Sequence, residues 1–223
     1  MPAPSQIVRA FVDSRGVLPA HIATTLTETG LGVVLGVSIG VVLAVLVTSS
    51  VVVRRALRPL LVISQTIPFP VLFLLLVLAF GYGLTPKVIV VALVVFFPVT
   101  VTTASGLEQA DAELVDLVRS FGASRMQRLR HVLIPAALPP ALAGLRISLT
   151  YAIAAAVIGE SIGARSGLGL YIARSQRSFR YDQIWVGMLV VAALSITLYS
   201  CVYVVERLAC PWKHVESSAG TAA

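Results

Sequence analysis

Charged residues are spaced along this chain so that they leave five long apolar stretches. Residues 29–53, 59–86, 88–107 and 183–205 carry no charge. A fifth stretch, 140–162, contains only Arg146 and Glu160. About 20 helical residues cross the hydrocarbon core of a bilayer, so each stretch has the length of one crossing. The pattern predicts an all-α, polytopic transmembrane bundle of about five spans. In the fourth span, Arg146 and Glu160 must sit near the ends or face protein. Five crossings put the two termini on opposite sides.

Finer spacing adds detail within the spans. Gly32, Gly36, Gly40 and Ala44 recur every four residues, so they form one small face on which a second helix can pack closely. The same run spells Gly36-Val37-Ser38-Ile39-Gly40, a formal match to a hydrolase nucleophile elbow. That motif needs a strand-to-helix turn, which an unbroken apolar helix does not supply, so the packing reading is preferred. In the second span, Pro68 and Pro70 follow Ser64-Gln65-Thr66-Ile67 and break the helix. Polar groups beside a broken helix suit a pathway lining, and a kink packed by neighbours fits as well. Gln65, Thr66 and Thr103 are pathway candidates. Glu160 is another: it lines a path or sits at an interface, where Ser161, Gly163, Arg165 and Gly167 follow. Arg174, Arg177 and Arg180 share one face of a short helix, read as an interfacial segment with its arginines toward water.

Composition narrows the class. The 223 residues are 57% hydrophobic and 12% charged, about half the charge of an ordinary globular domain. That excludes a soluble enzyme, a disordered chain and a nucleic-acid binder. The net charge of +7 fits loops facing anionic lipid. Cys201 and Cys210 form neither a disulfide framework nor a metal-ligand cluster. Residues 1–28 lack the apolar core of a signal peptide. They are read as an extracytoplasmic segment before a membrane domain at 29–207, with a cytoplasmic tail at 208–223. The hydrophilic loop at 108–137 is the longest. With that loop inside, ten basic residues fall inside (Arg54, Arg55, Arg58, Arg119, Arg125, Arg128, Arg130, Arg146, Arg207 and Lys213). Seven fall outside: Arg9, Arg15, Lys87, Arg165, Arg174, Arg177 and Arg180. The bias has the expected sign and is small.

Residues 112–135 read AELVDLVRSFGASRMQRLRHVLIP. Patterning gives two short helices broken at Gly122, with Ser124 and Gln127 spaced as a capping box. Pro135, Pro139 and Pro140 are read as ending the second helix and starting the fourth span. Such a helix–turn–helix exposes apolar surface and suits docking of a soluble partner. The spacing Asp116-Leu117-Val118, three residues, Gly122, nine residues, Val132-Leu133-Ile134-Pro135 resembles the EAA loop of ABC importer permeases. That signature is Glu-Ala-Ala-x3-Gly-x9-Ile-x-Leu-Pro; Gly122 and Pro135 match outright, and the replacements keep charge or apolarity. Gln65-Thr66-Ile67-Pro68, Phe80-Gly81-Tyr82-Gly83, Gly144-Leu145-Arg146, Gly159-Glu160-Ser161-Ile162 and Ser166-Gly167-Leu168-Gly169 resemble the nitrate/sulfonate/taurine branch.

The resemblance implies a mechanism. Two permease copies, here a homodimer, form the pathway in the plasma membrane. Each EAA loop seats in a cytoplasmic ABC ATPase, and an extracytoplasmic substrate-binding protein delivers the solute. It places the loop and C-terminus in the cytoplasm and the N-terminus outside. Asp116, Leu117, Val118, Gly122, Ala123, Ser124, Arg125 and Pro135 would make the ATPase contact, with Arg125 and Arg128 pairing with its acids. The chain lacks a phosphate-binding Gly-x4-Gly-Lys-Ser/Thr loop. It is therefore expected to be no enzyme and to need no cofactor, with membrane lipid around it and no nucleic acid. The branch suggests a small anion such as nitrate, a sulfonate or taurine. An osmoprotectant (betaine or choline) or thiamine-precursor permease is the alternative. A secondary transporter is the reading from another class, with Glu160 as its only embedded ionisable group. A hydrolase at Ser38 lacks a base, because His21, His131 and His214 lie outside the predicted spans.

Overall fold

The computed structural model describes residues 2–212 and contains only helices and turns among them. Residues 213–223 of the expected tail, with Lys213 and His214, lie outside the described residues. The helices are α1 (Pro4–Ser14), α2 (Leu18–Ser49), α3 (Val51–Ile63), α4 (Phe69–Phe80) and α5 (Leu84–Glu108). They continue as α6 (Ala112–Ser120), α7 (Arg125–Arg128), α8 (Ile134–Ser161), α9 (Leu168–Arg177) and α10 (Tyr181–Ala209).

Four helical runs among the described residues are long and apolar enough to cross a membrane: α2, α5, α10 and the run Arg125–Ser161. They match four of the five predicted stretches. The fifth, 59–86, is divided. α3 ends at Ile63 and α4 starts only at Phe69. Pro68 and Pro70 cannot donate into a continuing ladder, so the chain turns at 64–68. At 12 residues, α4 rises about 18 Å and is too short to cross alone.

The small face predicted on α2 is where the bundle is tightest. Gly32, Gly36, Gly40 and Ala44 are buried, and α2 lies along α5. A Cβ on Gly36 would sit 2.7 Å from the carbonyl of Ala92, and one on Gly40 2.9 Å from that of Phe96. With lipid outside, such close backbone contact is a main source of helix association. Ser38 lies on the exposed side of this continuous helix and returns its hydroxyl hydrogen to Val34 O at 2.8 Å, so the elbow reading is closed. The buried stripe also runs further back than predicted, through Thr29, Glu28 and Thr25. α2 starts at Leu18, well before the first uncharged residue.

α8 packs on a neighbouring face of α5, with Gly106 against Ala137 and Gly144 against Thr102. The core between α4, α5 and α8 contains Phe73, Val91, Val95, Ala152 and Ala156. α10 lies outside α8, where Arg146 pairs with Glu206 at 3.3 Å and stacks over Tyr199 and Tyr203.

The prolines after the loop do not end a helix. α7 runs into α8 through one wide π turn at Leu129–Leu133, where the Ile134 N–H reaches back to Leu129 O. Pro135 has no N–H for the carbonyl four residues behind it, and widening the turn relieves the clash of its ring. Pro139 and Pro140 are then carried inside α8. The result is one 37-residue helical run, Arg125–Ser161, about 55 Å long.

Candidate functional site

Two places carry polar chemistry, at opposite ends of that run. The first is the knob formed by α6, the turn at 121–124 and α7. Asp111 caps α6 by accepting from the N–H groups of Glu113 (2.8 Å) and Leu114 (3.3 Å). At its other end Gly122 has φ +81°. Its N–H donates to Arg119 O at 3.0 Å, and that of Ala123 to Val118 O at 3.2 Å. This is a Schellman ending, which wants glycine at that position. Ser124 and Gln127 form the predicted capping box, with Ser124 N–H donating to Gln127 Oε1 at 2.8 Å and Gln127 N–H to Ser124 Oγ at 3.3 Å.

Every step of this local structure serves to present α6. No residue of α6 or α7 is buried. Leu117 is 52% exposed, Met126 69% and Phe121 81%. Asp116, Ser124 and Arg125 are exposed beside them, and Val118, Ala123 and Pro135 are half-buried. The structure thus brings the predicted contact residues from Asp116 to Arg125 onto one element, and places Pro135 apart from them in the first turn of α8. An exposed apolar patch rimmed by charge is a kind of surface on which proteins dock.

The second place is the junction of α2, α5, α8 and α9. Glu160, at the end of α8, is fully buried. Its Oε1 accepts from the Thr25 hydroxyl at 2.6 Å, and its Oε2 from the Gly169 N–H at 2.7 Å. The Leu168 N–H donates to Thr25 Oγ1 and the Gly167 N–H to His21 Nδ1, both at 3.0 Å. The first N–H groups of α9 are thereby satisfied by side chains of α2 and α8, and Glu160 sits where a helix favours negative charge. Gly167 has φ +127°, and a Cβ there would enter the Glu160 carboxyl. One turn along α2, Glu28 accepts from Lys87 Nζ of α5 at 2.5 Å; the two residues are 3% and 6% exposed. A cleft of about 420 Å³ reaches this pair between Thr24, Tyr82, Gly163 and Arg165. Tyr171, on α9, bonds Ser14 of α1 at 2.9 Å, and burial raises its phenol above the ordinary value.

The four pathway candidates do not meet. Gln65 and Thr66 lie in the turn between α3 and α4, their side chains bonded to Ser64 and Ile63. Thr103 is buried in α5 with no partner for its hydroxyl. Only Glu160 belongs to a polar cluster, and its neighbours Thr25, Glu28 and Lys87 were missed. Glu28 and Lys87 are charged and border the uncharged stretches, so they fall outside the predicted spans. Extending the four-residue stripe of α2 backward would have reached Glu28.

Comparison with known proteins gives the family and the fold. Residues 32–213 match the family described as binding-protein-dependent transport system inner membrane component. The chain is 34% identical to the formylaminopyrimidine transport permease protein of Halalkalibacterium halodurans, over 96% of this chain and 86% of that one. It is 30% identical to the taurine transport system permease protein of Escherichia coli, over 95% and 80%. Among solved structures, an amino acid ABC transporter with histidines superposes with TM-score 0.67 at 20% identity, over 90% of this chain and 97% of that one. The MetNI methionine ABC transporter, inward facing, superposes with TM-score 0.61 at 22% identity, over 95% and 98%.

Proposed function

This chain belongs to the binding-protein-dependent inner membrane components, the permeases of ABC importers, and on that premise we propose that its 112–135 loop couples the bundle to a cytoplasmic ATPase. It is a multi-pass inner-membrane protein. The observation that carries the coupling role is the knob itself. Leu117, Phe121 and Met126 are exposed, and the α7 part of the knob, which carries Met126, continues without a break into a membrane-crossing helix. A partner that moves the knob therefore moves α8, and with it the Glu160 junction about 55 Å away.

Orientation follows in this reading: the knob is cytoplasmic, the α9 end and the N-terminus face outward, and a binding protein delivers solute there. A second copy completes the pathway. The solute we assign is a small anion of the sulfonate or taurine kind. Lys87 and Arg165 stand against Glu28 in the outer cleft, an excess of positive charge at the mouth. A thiamine-precursor aminopyrimidine is the second reading, favoured by the identity to the formylaminopyrimidine permease over most of both chains.

Co-expression with the cognate ATPase in lipid nanodiscs tests the coupling. The native chain is expected to co-purify with the ATPase and raise its turnover when binding protein is added; Gly122→Arg is expected to lose this. A native chain that binds no ATPase would overturn the proposal. Competition uptake with labelled taurine and formylaminopyrimidine separates the two solute readings.

A further inference from the structure

We propose that α1 lies in the membrane interface and that the groove between α1 and α10 seats an acyl chain of a membrane phospholipid. The first argument is the division of α1 into three faces. Ile7, Ala10 and Ser14 recur three and four residues apart and share the side turned to the bundle. Ala10 is buried in one cluster with Leu18, Leu168, Tyr171 and Val186, and Ile7 packs against it. Ser14 bonds Tyr171 at 2.9 Å. Val8, Phe11 and Val12 make a second face, apolar and exposed. Gln6, Arg9 and Asp13 make the third, polar and exposed. An exposed apolar face opposite an exposed polar one is what a helix lying along a membrane surface presents.

The second argument is level. α1 packs on α10, a membrane-crossing helix with no buried residue in its most apolar stretch. Phe179, Tyr181 and Trp185 are exposed where α10 begins, and such aromatic side chains gather at the membrane–water interface. The third argument is the groove itself. It holds about 350 Å³, and its wholly apolar walls include Ile7, Val8 and Phe11 of α1 and Val186, Leu189 and Val190 of α10. A second cleft of about 440 Å³ lies at the start of both helices, with Gln6, Tyr181 and Asp182 in its walls. Polar walls at the aromatic level, then apolar walls within about 12 Å of Trp185 along α10, match the two ends of a phospholipid. A chain seated there braces α1 against Leu168 and Tyr171 of α9. The proposal rests on the chain crossing a membrane, and neither the solute nor the ATPase enters it.

Tryptophan quenching by brominated phospholipid tests this on the full chain in lipid nanodiscs. The chain has two tryptophans, Trp185 and Trp212. With both changed to Phe, Phe11→Trp supplies a reporter at the groove and Arg9→Trp one on the polar face. Lipids brominated along the acyl chain are expected to quench the Phe11→Trp reporter about twofold more than the Arg9→Trp one, because an interfacial helix sinks its apolar face about 5–10 Å toward the acyl chains. Iodide in the water is expected to show the opposite order. Adding Ala193→Phe, which fills the groove from its α10 wall, is expected to lower the lipid quenching at Phe11→Trp. Iodide that quenches both reporters equally would put α1 in water and overturn the proposal. A Phe11→Trp reporter quenched by neither agent would be covered by a second copy of the chain, which also overturns it. Lipid quenching that Ala193→Phe leaves unchanged would show that no acyl chain occupies the groove. If the Phe11→Trp chain does not fold, Trp185 decides in the chain carrying Trp212→Phe alone. Quenching there by lipid brominated near the headgroup supports the proposal, and quenching by iodide alone overturns it.

Discussion

At Gly167 the backbone has φ +127°, and the space a methyl group would need is held by the Glu160 carboxyl. Gly167→Ala therefore combines backbone strain with overpacking and is expected to cost roughly 2–4 kcal/mol, measured by thermal unfolding in detergent. Lys87 tests the same junction from the α5 side. Lys87→Met strands Glu28 without its cation, an expected loss of about 3–5 kcal/mol. Glu28→Leu combined with Lys87→Met removes both charges and is expected to recover most of that loss, because a matched apolar pair can replace a buried ion pair. If the double variant is no better than Lys87→Met alone, the ion pair is not what the single change disturbs. These residues were hard to see in the sequence for a definite reason. A charge beside an apolar run reads as the place where the membrane ends, yet Glu28 and Lys87 are charges that satisfy each other inside the packed bundle. Glu160 was visible because it interrupts an apolar run.

Among the elements, those whose local chemistry agrees with their packing were legible. The glycine stripe of α2, the Ser124–Gln127 capping box and the turn at Gly122 each follow from spacing, and each is present. Gly36→Leu is expected to abolish the α2–α5 contact, since even a Cβ would lie 2.7 Å from the Ala92 carbonyl. Its readout is loss of the monodisperse chain on gel filtration, with Ser38→Leu on the exposed face as the tolerated control. The prolines were less legible. Pro68 and Pro70 interrupt the second apolar stretch as expected, which leaves two helices where one crossing was predicted. Pro135, Pro139 and Pro140 do not terminate anything. Packing of α8 against α5 outweighs the lost hydrogen bonds, and one wide turn absorbs the ring of Pro135. Local signals alone do not rank those effects.

For the whole molecule, hydropathy was sufficient for the all-α membrane architecture, because few other folds use so little charge. Sidedness was not legible, since the arginines after Gly163 offset those of the 108–137 loop. The long run from Arg125 to Ser161 sets the expectation at this scale. Leu117→Ser with Phe121→Ser should leave the melting temperature unchanged, because both side chains are exposed. The same pair should weaken ATPase association by roughly 30-fold, as loss of about 2 kcal/mol from an interface anchor does. Surface-immobilised permease titrated with ATPase measures this. Arg130→Gly with His131→Gly, both exposed, should soften the helical connection by about 1 kcal/mol per glycine. ATPase would still bind, and its turnover would respond less to binding protein.

The wide turn at 129–133 also bears on the counting of residues. A π turn accommodates one residue more than an α-helix of the same rise, so the stretch between Gly122 and Pro135 holds a spare position. Deleting Arg130 together with Pro135→Ala, which removes the ring that the wide turn accommodates, would let the helix close to regular α geometry while the knob and the span keep their facing sides. Deleting Ile147, in the regular part of α8, would instead turn everything beyond it by about 100° and take Glu160 away from Thr25. The length of the loop is thus adjustable at one point in the chain, and the register of the span is fixed at the next.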